Sequence, residues 1–103
     1  LVVTEPTLSG AHDMARVLEL TRHFDIPATV CVNKWDLNVE ITERVEAEAR
    51  RAGAAIAGRV RYDRSVTDAQ LQGKAVVELR GTPAGDDIRA VWRMVLSRLT
   101  ERT

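Results

Sequence analysis

The chain has 103 residues, with 15 Lys and Arg offset by 15 Asp and Glu, 45% hydrophobic residues and one cysteine. That length allows one small domain, and the cancelled charge excludes a long-range field for nucleic acid or anionic membrane. A lone Cys31 excludes an internal disulfide and a cysteine-cluster metal site within the chain, and fits a reducing, cytoplasmic setting.

No apolar run reaches membrane-spanning length, and no charged leader precedes a signal-like core. Leu1-Val2-Val3 opens the chain without Met and reads like the middle of a strand, which is expected of a fragment. Leu1 to Thr4, apolar and β-branched, suits a strand buried on both faces and stopped by Pro6. Ser9 is the expected N-cap of a helix carrying Met14, Val17, Leu18 and Thr21 at helical spacing to about Phe24. Asp25-Ile26-Pro27 breaks it.

Ala28 to Val32 reads as a second buried strand with Asn33 at its end. Asn38 can cap the next helix, on which Ile41, Val45, Ala49 and Ala52 share a face, and Arg50-Arg51-Gly53 is helix-ending chemistry. Ala55 to Val60 is a weaker third strand, diluted by Ala and Gly. Ser65-Val-Thr-Asp68 resembles a capping box opening a short helix that ends at Gly73. The last helix carries one continuous apolar stripe, Ile88, Val91, Trp92, Val95, Leu96 and Leu99, expected to pack in the core.

Strand and helix alternate with short connections, which predicts an α/β fold with a partial parallel sheet and flanking helices over residues 1–103 as a single domain. In such sheets ligands bind beyond the C-terminal strand ends. Glu5, Asn33 to Asp36 and Arg61 to Asp63 all fall there and are expected on one rim.

Within that rim, Asn33-Lys34-Trp35-Asp36 has the chemistry of a base reader. An Asn amide offers donor and acceptor to a purine edge, a Lys stem can lie on a base, and an Asp carboxylate can accept both guanine N1–H and N2–H. The alternative stays open that Asn33 caps the strand end, Asp36 makes an Asx-turn and Trp35 covers the core. A phosphate cradle is missing: Gly73-Lys74 is the only Gly-Lys pair, and Gly-x-x-x-x-Gly-Lys-Ser/Thr is absent. The chain alone is therefore not a complete NTPase. His12 and His23 lack metal-ligand spacing and suit helix surfaces, Cys31 suits a small buried hydrophobe, and Arg59, Arg61 and Arg64 form a basic patch expected to be solvated.

Thr4-Glu5-Pro6-Thr7 leading into Gly10-x-x-Asp13-x-x-Arg16, then Val32-Asn33-Lys34-x-Asp36-Leu37-Asn38, then Gly58-x-x-x-Tyr62-Asp63 with Gly73-Lys74 and Glu78, follow one pattern in order. Over essentially the whole chain it resembles the C-terminal half of the MinD/ParA-type P-loop ATPases. More narrowly, it is similar to the MinD-superfamily ATPases with an inserted ferredoxin domain, whose members are often labelled CobB/CobQ-like or cobyrinic acid a,c-diamide synthase nucleotide-binding domains. The resemblance implies ATP and Mg in an intact parent, nucleotide-dependent dimerisation and two iron–sulfur clusters, all carried before Leu1, and the parent is expected to couple ATP hydrolysis to an electron-transfer or metal-cluster protein partner. It implies Asn33 against the adenine, with Tyr62 and Asp63 in the loop closing over the base. Lys34 and Asp36 match the branch's motif, and Thr4 and Glu5 match a loop on the phosphate and dimer side. Relatives place Pro where Arg61 stands. Two other readings remain: a GTPase half reading guanine through Asn33 and Asp36, and a non-catalytic interaction module on a relic half-fold. A half-fold would also leave a sheet edge open, so self-association is expected.

Overall fold

A computed structural model describes residues 1–63 and 82–101. The stretch from 64 to 81, with the Ser65–Asp68 capping box, Arg64, Gly73-Lys74 and Glu78, lies outside the described residues. Three strands, β1 (Val2–Thr4), β2 (Thr29–Asn33) and β3 (Ala55–Val60), pair in parallel in the order β1-β2-β3. Helices α1 (Leu8–His23) and α2 (Val39–Arg51) connect them, a 3₁₀ turn spans Trp35–Leu37, and α3 (Pro83–Glu101) closes the described chain.

Successive side chains of a strand point to opposite faces, and this alternation divides the core. Val30 and Val32 face α1 and α2, where they meet Met14, Leu18, Val45 and Ala49. Cys31, Ala57 and Val60 face α3 and meet Ala84 and Val91. Both crossover helices lie on one face because sequential parallel strands joined by right-handed connections place them there. Burying a side chain such as Met14 or Leu18 contributes about 1.5–3 kcal/mol.

Thr7, not Ser9, caps α1. Its backbone is extended (φ −132°, ψ 158°) and its Oγ1 accepts the Gly10 N–H at 2.9 Å. Ser9 falls inside the first turn, and Thr7 supplies the same hydroxyl two residues earlier. Asn38 caps α2 as expected, accepting from the Ile41 N–H at 3.0 Å.

Both crossover helices end in the same way. Ile26 N–H reaches back to Thr21 O at 2.8 Å, and Ala54 N–H to Ala49 O at 3.0 Å. Each motif places one residue in the left-handed region, Asp25 at φ 55° and Gly53 at φ 87°. Glycine accepts that conformation freely; aspartate is one of the few other residues that tolerates it.

Two expected core faces are only partly covered. On α1 the inward residues are Ala11, Met14 and Leu18, and Val17 turns outward with Leu20 and Phe24. On α3, Val91 is buried and Ile88 and Val95 pack beside it, but Trp92, Leu96 and Leu99 stay exposed, Trp92 at 57%. The stripe is wider than the strip of sheet that α3 covers. Val3, on the α3 side of β1, is likewise exposed.

The register between β2 and β3 slips at Val30/Cys31, where Ala57 bulges between Ile56 and Gly58. Gly58 sits at φ 149°, and a Cβ there would lie 3.0 Å from Val91 Cγ2. Its bare backbone lets α3 lie close against β3.

Candidate functional site

The parallel strands end together at Thr4, Asn33 and Val60, so the segments that follow them meet on one rim. Asn33 pairs with Val60 as the last residue of β2 and is half-buried. Lys34 then enters the left-handed region (φ 57°, ψ 37°), which reverses the chain into the 3₁₀ turn. A non-glycine residue there costs about 1–2 kcal/mol, a strain often found at functional sites. The turn sends the Lys34 ammonium to Glu5 on the neighbouring strand end, at 3.3 Å and half exposed.

Beneath the rim, two buried polar contacts fix this turn. The Thr42 hydroxyl, fully buried on α2, lies 3.0 Å from Trp35 O and 2.9 Å from Asn38 O. Glu46, also on α2 and buried, accepts two hydrogen bonds from Arg59 of β3 at 2.9 and 2.7 Å. The same guanidinium lies 5.0 Å over the Trp35 ring, a cation–π contact. Trp35 therefore covers both the core and the ion pair.

The loop after β3 is held at each of its three residues. Arg61 donates to Asp87 of α3 through its backbone N–H at 3.0 Å, Nε at 2.8 Å and Nη2 at 3.0 Å. Those hydrogen bonds hold the Asp87 carboxyl below its usual range. Tyr62 N–H donates to Asp36 Oδ1 at 2.7 Å. Asp63 Oδ2 accepts the Ala84 N–H in the first turn of α3 at 2.9 Å.

These contacts place the expected residues. Asn33, Lys34, Asp36, Tyr62 and Asp63 converge, with Glu5 joined to them through Lys34. Thr4 is buried below, its hydroxyl 3.4 Å from Glu5 O. Asp36 makes no local Asx-turn among the described residues; it bridges to another loop. Arg59 and Arg61 are partly solvated, as expected of the basic patch, but each is also forked onto a carboxylate. His12 and His23 are exposed, and Cys31 is buried. Burial, reinforced by Asp87 and Glu46, pushes its thiol up to about 11.

Among these polar side chains the Asn33 amide is different. No described residue hydrogen-bonds to it, whereas Lys34, Asp36, Asp63 and Arg61 are each engaged. Asp87, Glu46 and Thr42 carry much of the rim's geometry and were not singled out in the sequence. Asp87 lies 26 residues from Arg61, and nothing in local spacing links them.

A three-strand parallel sheet with helices on both faces, ending in this rim, is similar to the P-loop NTPase fold of MinD. The MinD cell division protein of Aquifex aeolicus matches with a TM-score of 0.73 and 25% identity over 92% of this chain and 42% of that one. The MinC:MinD cell division protein complex of Aquifex aeolicus matches with a TM-score of 0.72 and 25% identity over 92% and 41%. The chain thus spans about two fifths of the solved chains it matches. No protein-family description and no curated protein matches the sequence. Among the described residues no helix is long and apolar enough to cross a membrane, and no group of three or more His, Cys, Asp or Glu could hold a metal ion.

Proposed function

We infer that this chain is the base-side half of a MinD-like ATP-binding domain. The observation that carries the reading is the uncommitted amide of Asn33, half-buried on a rim whose neighbouring polar groups are engaged in holding it rigid. A fixed primary amide presents one donor and one acceptor in one plane, which matches the adenine edge. Tyr62, exposed on the same rim, supplies the ring and peptide of a loop to lie against the base.

Adenine is favoured over guanine by the engagement of Asp36. Oδ1 already accepts the Tyr62 N–H at 2.7 Å, which commits the carboxylate's direction and one of its roughly four lone-pair sites before guanine N1–H and N2–H could be met. The Lys34 ammonium is paired with Glu5 at 3.3 Å.

The described residues fit a base and not a triphosphate. No glycine-rich cradle stands among them, so phosphates and Mg would be held by another part of a larger domain. Support for such a part comes from the β1 side: among the described residues β1 pairs only with β2, and Val3 on it and Val17, Leu20 and Phe24 on or after α1 stand exposed. Iron–sulfur clusters, and an electron-transfer partner with them, would likewise belong to residues outside this chain. The chain alone should bind nucleotide weakly, on the order of millimolar, equivalent to about 4 kcal/mol, and hydrolyse none.

Titration of the ¹⁵N-labelled chain with ATP and with GTP tests the reading. ATP should shift the amides of Asn33, Lys34 and Tyr62, and Asn33→Ala should remove the response. Preferential binding of GTP, lost in Asp36→Ala, would replace the ATP reading by a guanine one.

A further inference from the structure

The loop after β3 has none of the usual sources of stiffness. Arg61-Tyr62-Asp63 contains neither proline nor a β-branched residue, and it lies at the solvent-exposed end of the sheet. The structure shows what holds it instead. Asp87, one turn into α3, accepts the Arg61 backbone N–H and the Nε–H and Nη2–H along one edge of its guanidinium. A bidentate Arg–carboxylate pair fixes direction as well as distance, because two parallel hydrogen bonds define a plane. The added backbone bond ties that plane to the peptide itself.

Asp36 on the far side holds the next N–H. Asp63, the third residue, is bonded to the same helix as Asp87, three residues nearer its start. The Arg61 and Tyr62 amides are thus stretched between carboxylates of two elements, α3 and the turn after β2. Tyr62 is carried between them, exposed on the same rim as the strand end at Asn33.

We propose that Arg61 and Asp87 are positioning residues for the nucleotide base: their ion pair sets where the Tyr62 peptide and ring stand relative to the Asn33 amide. The proposal rests on the base-site reading above and names how that site is kept in register. Neither residue needs to touch the nucleotide. Loss of the pair leaves the Asn33 strand end and the sheet in place but lets the opposite wall of the site wander, so binding weakens in a chain that still folds.

The experiment uses AMP as the probe, added to the full 103-residue chain, with amide shifts reporting affinity and hydrogen exchange reporting the loop. Asp87→Asn and Arg61→Ala are compared with wild type, and Asp87→Glu serves as the conservative variant. Arg61→Ala trims an exposed side chain and guards against Asp87→Asn failing to fold. The expected result is an AMP dissociation constant raised about fivefold in both, equivalent to about 1 kcal/mol. The Tyr62 amide should exchange at least tenfold faster, and Asp87→Glu should recover part of the affinity. The melting temperature should fall by only a few degrees, roughly what the loss of a half-exposed ion pair gives in a chain of this size. Unchanged AMP affinity in Arg61→Ala or Asp87→Asn overturns the positioning role while leaving the base site standing. An AMP response missing from the wild-type chain itself overturns the site and the proposal together.

Discussion

Replacing Arg59 by alanine tests the ion pair under the rim most directly. Glu46 belongs to a buried residue, with only 6% of its side chain exposed, and both its oxygens are bonded to Arg59. Removing one partner of such a pair usually costs about 3–5 kcal/mol, because the remaining charge is left buried. Arg59 itself is one-third exposed, so water follows into the vacated space and offsets part of that cost, bringing it to about 2–3 kcal/mol. The lost contact 5.0 Å over Trp35 adds about 0.5–1 kcal/mol. A total near 3 kcal/mol is a large share of the ~5–15 kcal/mol typical of domains. In a chain of this size it should lower the melting temperature by roughly 12 °C or more. Urea denaturation followed by far-UV circular dichroism measures it. The double variant Glu46→Met, Arg59→Met should lie within about 1 kcal/mol of wild type, since desolvation and attraction are removed together. A loss below about 1 kcal/mol in Arg59→Ala would refute the reasoning and leave the pair as an ordinary surface contact.

Cys31 should react slowly with an aromatic disulfide reagent at neutral pH and rapidly once urea unfolds the chain; equal rates would place the thiol at the surface. Its folded pKa is raised from 9.0 to about 11, so the unfolded thiol ionises first on raising the pH. Stability present below pH 9 should therefore fall between these two values, an effect absent from Cys31→Ala. Gly10→Ala should destabilise by about 1–3 kcal/mol in thermal unfolding, despite alanine's better helix propensity. The new Cβ would stand 2.6 Å from Glu5 O and 2.9 Å from Thr4 Oγ1; a stabilised variant would show that the turn before α1 yields easily. Finally, the open β1 side should make the chain self-associate at micromolar concentration, and sedimentation as a clean monomer would contradict this.

The alternation of buried strands and amphipathic helices was enough to read the sheet, its parallel sense and the meeting of three strand ends on one rim. Such features follow from short-range periodicity, and they agree with the architecture observed. What periodicity could not convey was which part of an apolar stripe finds a neighbour. Trp92, Leu96 and Leu99 belong to the same stripe as Val91, yet the extent of sheet beneath α3 decides which of them is covered. The cap of α1 was misplaced by two residues because Thr7 and Ser9 offer the same hydroxyl, and only the backbone bend distinguishes them. At the site, the rim residues were legible one by one, but their commitments were not. Asp36 reads equally well as a base contact or a loop tie until Tyr62 N–H is found 2.7 Å away. Arg61 and Asp87 are brought together by tertiary packing alone.

The missing side chain of Gly58 has a reach beyond its own strand. Its Cα hydrogens are all that separate β3 from Val91, and Val91 stands one helical turn beyond Asp87 on the same rigid helix. The height at which α3 rests on the sheet is thus transmitted along the helix to the carboxylate that grips Arg61. A methyl group added at Gly58 would stand 3.0 Å from Val91 Cγ2, so that either this side chain or the helix that carries it must give by a few tenths of an ångström. A half-buried glycine with no side chain to offer a ligand thus bears on how closely α3, and with it Asp87, rests against the sheet.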